Sequence, residues 1–335
     1  MKNVVFEALA DAARAGRAVT LGVITGVKGS SPQKIGAKAV FYKDGRIQGT
    51  LGGGCLEAEI QQRAVQSLQS GKPSTFNLLL DHDFGWDDGL ICGGKVMGVI
   101  LPNAQRLGAE FWEALSDPPA EVAWGVRHDF TLHRNDPSST AVSDREDWIY
   151  QEKVSPACAL WIAGAGHVAQ AVAPLALQLD FNVTVFDDRP ALANHEFFPD
   201  AVSLRVGLWD QLSTLPFPQV PTFGLIVTRG HRHDAVVLRD WIHRPFWFLG
   251  MIGSARKART IFEHFSVEQI AQPAELERVA CPVGLQIHAR SVMEIAVSIM
   301  AQYIEKRAEC RGSDTGNPAA GSVASVSSSS KMRQR

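Results

Sequence analysis

At 335 residues the chain exceeds what one ordinary core fills, so two domains are expected. Hydrophobic residues make up 45% and charged residues 20%, the balance of a soluble globular protein, and 33 Lys and Arg against 35 Asp and Glu leave no basic excess for a nucleic-acid partner. No apolar run approaches membrane-spanning length, and the opening "MKNVVFEALADAARAG" is amphipathic and carries acids, unlike a signal peptide.

That opening predicts a helix. Strands follow in "AVTLGVITGV" and "AKAVFYKDGRIQGTLGG", the latter folding back around Lys43, Asp44 and Gly45, since Lys-Asp-Gly is a hairpin signal. The apolar spacing of "LEAEIQQRAVQSLQSG" predicts a helix that stops at Gly71. Strands are expected in "STFNLLL" and "KVMGVIL", then a helix around "AQRLGAEFWEALSD". The polar, turn-rich "RNDPSSTAVSDRED" places a linker between there and Pro156. From Ala159 short apolar strands ("LWIAG", "NVTVFDD", "VSLRV", "FGLIVTRG", "FWFLGMIG") alternate with helical segments, which predicts a parallel sheet wrapped by helices. "SVMEIAVSIMAQYIEKRAE" reads as a last helix. The expected organisation is an N-terminal α/β domain over residues 1–150, a Rossmann-like doubly wound domain over 156–306, and a disordered Gly/Ser/Ala tail over 311–335.

In "LWIAGAGHVAQAVAPLALQLDFNVTVFDDRP", Gly164 and Gly166 stand between a predicted strand and helix, with Ala169 three positions on. Asp187 follows Gly166 by 21 residues and ends the next strand. Strand, glycines, helix, strand and acid in this order form a dinucleotide-binding fingerprint. Gly164 permits the turn, Gly166 admits a phosphate to the helix start, Ala169 allows close packing, and Asp187 accepts from a ribose hydroxyl. A doubly wound domain whose site has been reassigned is the plain alternative. Gly253 and Ser254 in "LGMIGSARKA" repeat the device ahead of Arg256, Lys257 and Arg259, which suit a phosphate or form a solvated basic face. In "TRGHRHD", His231, His233 and Asp234 reach the same crevice, where hydrogen bonding is the simpler role and metal binding the sharper one.

The five cysteines (Cys55, Cys92, Cys158, Cys281 and Cys310) are scattered and never spaced Cys-x-x-Cys, so neither a disulfide framework nor a zinc knuckle is expected, and a reducing cytoplasm is. In "GTLGGGCLEAEI", Gly52, Gly53 and Gly54 deliver Cys55 to a helix start, where the dipole favours thiolate. A tight turn followed by a small buried cysteine is the bland reading. "DDGLICGGKVMGVI" sets Cys92 beside Gly93 and Gly94, a second glycine-flanked thiol. The acids of "DHDFGWDDGL" (Asp81, Asp83, Asp87 and Asp88) lack the glycine and glutamate of a calcium loop and read as a solvated rim. Ser30, Ser31, Gln33, Lys34 and Lys38 in "GSSPQKIGAKAVF" are ordinary turn chemistry alone, and an anion-binding lip beside Cys55. A soft thiolate next to phosphate-binding amides suits a transition metal carried by a phosphorylated organic ligand.

Seven motifs in order, "GSSPQKIGAKAVF", "GTLGGGCLE", "GLICGG", "WIAGAGHVAQ", "TRGHRHD", "GMIGSARKA" and "CPVGLQIHARSVMEIAVSI", resemble the xanthine dehydrogenase accessory factor family (XdhC/CoxI). The resemblance spans both halves, about residues 4–304. It implies a cytoplasmic, dimeric chaperone that binds the molybdenum cofactor as molybdopterin or its cytosine dinucleotide. Such a chaperone holds the cofactor while a cysteine desulfurase exchanges an oxo ligand for sulfido, then delivers it to a molybdenum hydroxylase. It further implies Cys55 as the molybdenum ligand or its close neighbour, Cys92 as a wall of that pocket, and Gly164, Gly166 and Asp187 as holders of a nucleotide. Gln33 and Lys34 depart from the arginines common in relatives, and His288 from their small residues. A NAD(P)-dependent oxidoreductase using the Rossmann half is the alternative, and a metal-binding regulator using His231, His233 and the cysteines a weaker third.

Overall fold

The computed structural model describes residues 3–29, 33–80, 94–135 and 147–312. Asn3 opens α1 (Val4–Arg14), its Oδ1 accepting from the Val5 N–H at 3.1 Å. The chain then lays down β1 (Val19–Lys28), β2 (Lys38–Tyr42), β3 (Ile47–Gly49), α2 (Gly54–Ser70), β4 (Ser74–Leu80) and β5 (Gly94–Pro102). The strands pair antiparallel in the order β3-β2-β1-β5-β4. Alternation along them decides which face each side chain meets. Val19, Leu21, Val23, Val40 and Tyr42 bury against Phe6 and Leu9 of α1, while Ile24, Ala39 and Phe41 bury against Leu56, Ile60 and Ala64 of α2. Gly71 takes a left-handed φ of 68° and ends α2 where the sequence stops it.

The helix expected around "AQRLGAEFWEALSD" divides at Gly108, whose φ of 89° separates a short 3-10 turn from α3 (Ala109–Ser116). Beyond α3 lies a small antiparallel sheet of β6 (Val122–Arg127), β7 (Leu132–Asn135) and β8 (Trp148–Val154), ordered β7-β6-β8. Its Trp124 joins Phe6 and Trp112 in the first core, with the Phe6 and Trp124 rings edge-on at 5.4 Å. The described part of the stretch before Pro156, expected as linker, is therefore mostly strand: β8 pairs antiparallel with β6, Tyr150 opposite Val126 and Glu152 opposite Trp124.

The second half is a six-stranded parallel sheet. Its strands are β9 (Cys158–Ala163), β10 (Phe181–Asp187), β11 (Ser203–Val206), β12 (Thr222–Ile226), β13 (Phe248–Met251) and the two-residue β14 (Val279–Ala280). The order β11-β10-β9-β12-β13-β14 is 3-2-1-4-5-6 counted within the sheet, that of a doubly wound dinucleotide fold. One face carries α4 (His167–Gln178) and α8 (Val292–Gly312), through Val172, Ala176, Ile299 and Tyr303. The other carries α5 (His231–Trp241) and α6 (Ala255–Val267), through Val237, Trp241, Ile261 and Phe265, with the one-turn α7 (Pro273–Leu276) following. The Tyr303 hydroxyl donates to the Gly224 carbonyl at 2.6 Å, fixing α8 on β12. Arg311 and Gly312, placed by the sequence in the tail, close α8, and the rest of that expected tail lies outside the described residues. A crevice opens where β9 and β12 leave in opposite directions around the sheet. Among the described residues no helix is long and apolar enough to cross a membrane.

Candidate functional site

The thiol site is built on the turn between β3 and α2. Gly52, Gly53 and Gly54 all have positive φ, at 124°, 71° and 57°. Gly53, the N-cap of α2, has ψ −175°, a region essentially closed to residues with a side chain. A Cβ placed on Gly53 meets nothing within 4 Å, so there is open space beside that residue. Glu57 folds back from the first turn and accepts from the Leu51 N–H at 2.8 Å and the Thr50 hydroxyl at 2.9 Å. Thr50 Oγ1 in turn accepts from the Gly52 N–H at 3.1 Å. The loop is thus held by its own residues, and among the described residues no side chain caps α2. Cys55 sits half-buried in that first turn.

Register places further expected residues at the same end of the sheet. Gly49, from which the Cys55 loop leaves, is level with Ala39, Gly22 and Ile100, whereas Gly94 pairs with Leu80 six residues further along β5 toward the same end of the sheet. Ser30, Ser31, Cys92 and Gly93, with Asp81, Asp83, Asp87 and Asp88, lie outside the described residues. Lys38 corrects the sequence reading. It shares a strand face with Val40 and Tyr42, so it points into the core and not to an anion-binding lip. Its Nζ lies 2.6 Å from Glu152 Oε1 and donates to the Gly36 carbonyl at 2.7 Å, with the Phe6, Trp124 and Tyr150 rings around it. Burial pushes the Lys38 ammonium down, while Glu152 opposes that shift.

The Rossmann crevice is built from the carboxyl ends of β9, β10, β12 and β13. Gly164 has φ 114°, and a Cβ there would stand 2.3 Å from the Val227 carbonyl oxygen, so only glycine lets this turn pack on the next strand. A Cβ on Gly166, ahead of α4, would meet open space, while Ala169 is buried one turn into the helix. Asp187 ends β10 as expected, but its carboxylate is buried and already engaged. It accepts from the Ala165 N–H at 2.7 Å, the Arg189 N–H at 2.9 Å, and Arg189 Nε and Nη2 at 2.8 and 2.9 Å. Burial alone would raise this carboxyl; the hydrogen bonds from Arg189 and Ala165 outweigh it and hold the group below its ordinary value. The neighbouring Asp188 takes both ends of the Arg229 guanidinium, at 3.1 and 2.7 Å.

The His-x-His-Asp stretch divides its roles. His231 opens α5 and is exposed. His233 Nε2 lies 3.2 Å from Arg229 Nη2, within reach to accept from the guanidinium. Asp234 is wholly buried and accepts from the Thr228 N–H at 3.2 Å, the Thr228 hydroxyl at 2.6 Å, and Lys257 Nζ. Lys257 also donates to the Ile252 carbonyl at 3.0 Å. Gly253 leaves room for the Lys257 stem, which a Cβ there would approach to 2.7 Å, and Ser254 caps α6 by accepting from the Lys257 N–H at 3.2 Å. Of the three cations expected on one face, Lys257 turns inward while Arg256 and Arg259 stay exposed. Among the described residues no group of three or more His, Cys, Asp or Glu side chains is arranged to hold a metal ion, so the metal-regulator reading has no ligand set there. Sequence reasoning missed Arg189 and Arg229; the Asp-Asp-Arg run after β10 was the available signal for the first.

This chain belongs to the XdhC/CoxI family. The family model described as the XdhC Rossmann domain matches residues 160–303, and that of the XdhC and CoxI family matches residues 12–80. The chain is 26% identical over 325 residues to a Bacillus subtilis protein named as a probable xanthine dehydrogenase subunit, covering 86% of this chain and 92% of that one. It is 24% identical over 308 residues to the Escherichia coli "Molybdenum cofactor insertion chaperone PaoD", covering 89% and 86%. In fold it is similar to a crystal structure of a Bacillus halodurans protein described as a xanthine dehydrogenase, with TM-score 0.76, 24% identity, and 94% and 97% of the two chains covered.

Proposed function

We propose that this protein is a molybdenum cofactor-binding chaperone in the maturation of a molybdenum hydroxylase of the xanthine dehydrogenase or aldehyde oxidase type. It holds the cofactor, as molybdopterin or its cytosine dinucleotide, while a cysteine desulfurase exchanges an oxo ligand for sulfido, and then inserts it into the client. In this reading the protein is cytoplasmic, works as a homodimer and performs no turnover of its own. The observation that carries it is the α2 entrance, where three positive-φ glycines, with open space beside Gly53, set Cys55 in the first helical turn. A thiolate is a soft ligand of the kind a molybdenum centre accepts, and the amides of a helix start suit the phosphate of its organic carrier. The names of the Bacillus subtilis and Escherichia coli relatives support the same assignment. The second glycine turn, with open space at Gly166, suits the pyrophosphate of a dinucleotide form.

The strand order of the second half favours a second reading, a NAD(P)-dependent oxidoreductase. The engagement of Asp187 by Arg189 and Ala165 weighs against it, because the acid that would take a ribose diol is already fully hydrogen-bonded. The test is a binding titration with molybdenum cofactor, wild type beside Cys55→Ala, with NADH as competitor. The chaperone reading expects tight cofactor binding, weakened about tenfold or more without Cys55, and no displacement by NADH. Equal affinity in both proteins removes Cys55 from the site, and NADH binding without cofactor binding returns the Rossmann half to hydride chemistry.

A further inference from the structure

In the parallel sheet β9 lies between β10 and β12, and the glycine turn leaves the sheet at the carboxyl end of β9. On one side the Gly164 N–H donates to the Phe186 carbonyl at 2.8 Å, and on the other the Val227 N–H donates to the Ala163 carbonyl at 2.8 Å. Asp188 follows β10 by one residue, and Arg229 follows β12 by three. Their side chains join these two flanks of the turn. Arg229 Nη1 donates to Asp188 Oδ1 at 3.1 Å and Nη2 to Oδ2 at 2.7 Å, a two-pronged pair between residues 41 apart in the chain.

The backbone that carries Arg229 is anchored, while its side chain is open to solvent. The Thr228 N–H and hydroxyl donate to buried Asp234 at 3.2 and 2.6 Å, and Asp234 is held in turn by Lys257. The Arg229 side chain is 41% exposed, against 16% for Asp188, so a ligand can reach the guanidinium more easily than the carboxylate. His233 Nε2 lies 3.2 Å from Arg229 Nη2, and the His233 ring stands against Trp209. Arg189 Nε also comes to 3.9 Å from Asp188 Oδ1, but its guanidinium is committed to Asp187. An ion pair with this much exposure adds little to folding, because water competes for both charges. Phosphoryl oxygens offer a guanidinium the same planar fork as a carboxylate, with more charge. Exchanging one partner for the other needs only a rotation of the side chain.

We propose that Arg229 is an anion-recognition residue of the glycine turn, held by Asp188 until a diphosphate group enters. This rests on the reading in which Gly164 and Gly166 receive the pyrophosphate of a dinucleotide. Open space stands where a Cβ on Gly166 would project, but the turn itself supplies only neutral backbone donors. Arg229 adds the full positive charge, from the flank beyond β12. Asp188 is the internal competitor. While it occupies the guanidinium, apparent affinity is lowered by the fraction of molecules in which the pair is closed. Anions too weakly charged to displace a carboxylate are thereby rejected, which is selection by competition.

Calorimetric titration of the full chain with inorganic pyrophosphate, at ionic strength held constant by chloride, tests this. The wild type should bind saturably. Kd should rise about tenfold in Arg229→Gln and fall roughly threefold in Asp188→Asn, which frees the guanidinium. The opposite directions are the signature, since a pair that only holds the fold would shift both variants alike or neither. Gly166→Val locates the anion, because its side chain fills the free space at the turn. Binding lost in Gly166→Val but unchanged in Arg229→Gln leaves the glycine-turn reading standing and overturns the role of Arg229. A Kd unchanged or raised in Asp188→Asn overturns the competition. Binding retained in Gly166→Val, or absent from the wild type, removes the diphosphate from the turn and overturns both. Cytidine diphosphate and adenosine diphosphate run in parallel separate the sources of the group. Tighter binding of the first assigns it to a cytosine dinucleotide, tighter binding of the second to an adenine dinucleotide, and equal binding to the diphosphate alone.

Discussion

Arg189 holds the Asp187 carboxylate from two directions, its Nε on one oxygen at 2.8 Å and its Nη2 on the other at 2.9 Å, while the Ala165 N–H adds a third donor from the glycine turn. The acid at the end of β10 is therefore an internal brace. It fixes the β9–α4 turn to the next strand.

The brace makes stability depend on acid. The folded-state pKa of Asp187 lies below its ordinary value, so the unfolded chain takes up the proton first as pH falls. The stabilisation is complete above the ordinary carboxylate range and is lost as pH drops from there through the folded value. Arg189→Met removes the two guanidinium donors and leaves only the backbone N–H groups of residues 165 and 189 to oppose burial, which raises the carboxyl, so this loss should begin at higher pH. Tm measured between about pH 2 and 6 should fall earlier in Arg189→Met than in the wild type. Superimposable profiles would show that Arg189 does not govern Asp187.

Asp234 and Lys257 are a second internal pair, joining the start of α5 to the first turn of α6. Asp234 is wholly buried, so Lys257→Met leaves a carboxylate with Thr228 as its remaining donor. Removing one partner of a buried pair costs about 3–5 kcal/mol, whereas replacing both is often near neutral. Urea unfolding should show Lys257→Met strongly destabilised and the double variant Asp234→Asn/Lys257→Met recovering most of that loss. Additive losses in the double variant would refute the coupling.

Local pattern made the fold legible where it is local. Alternation in "STFNLLL" and the Lys43–Gly45 turn gave strands at their observed places, and the order of strand, glycines, helix and acid from Leu160 to Asp187 gave the parallel sheet. Partnerships between distant residues leave no such trace. Lys38 reads as a surface cation until Glu152, on another sheet, is brought beside it. Lys257 reads as one of three phosphate-binding cations until Asp234, 23 residues earlier, claims it. The β8 strand was hidden for the same reason: the polar stretch before it reads as a linker, and β6 supplies its pairing only after folding. For Asp187 the strand-end position was correct and its availability was not, because the same Asp-Asp-Arg run serves either a ligand or an internal brace.

The two glycine turns should separate binding from folding. Gly164→Ala places a Cβ 2.3 Å from the Val227 carbonyl oxygen at φ 114°, so it meets both a backbone clash and a conformational penalty. Gly53→Ala meets no atom within 4 Å and is penalised only through its backbone angles, about 1–3 kcal/mol. Guanidinium unfolding should therefore rank Gly164→Ala as the less stable of the two. Cofactor binding should rank them in the reverse order, because a methyl group on Gly53 projects into the space through which a ligand approaches Cys55, whereas the Gly164 methyl group would point into the protein. A Gly53→Ala protein that folds and binds molybdenum cofactor as tightly as the wild type would show that nothing approaches α2 from that side.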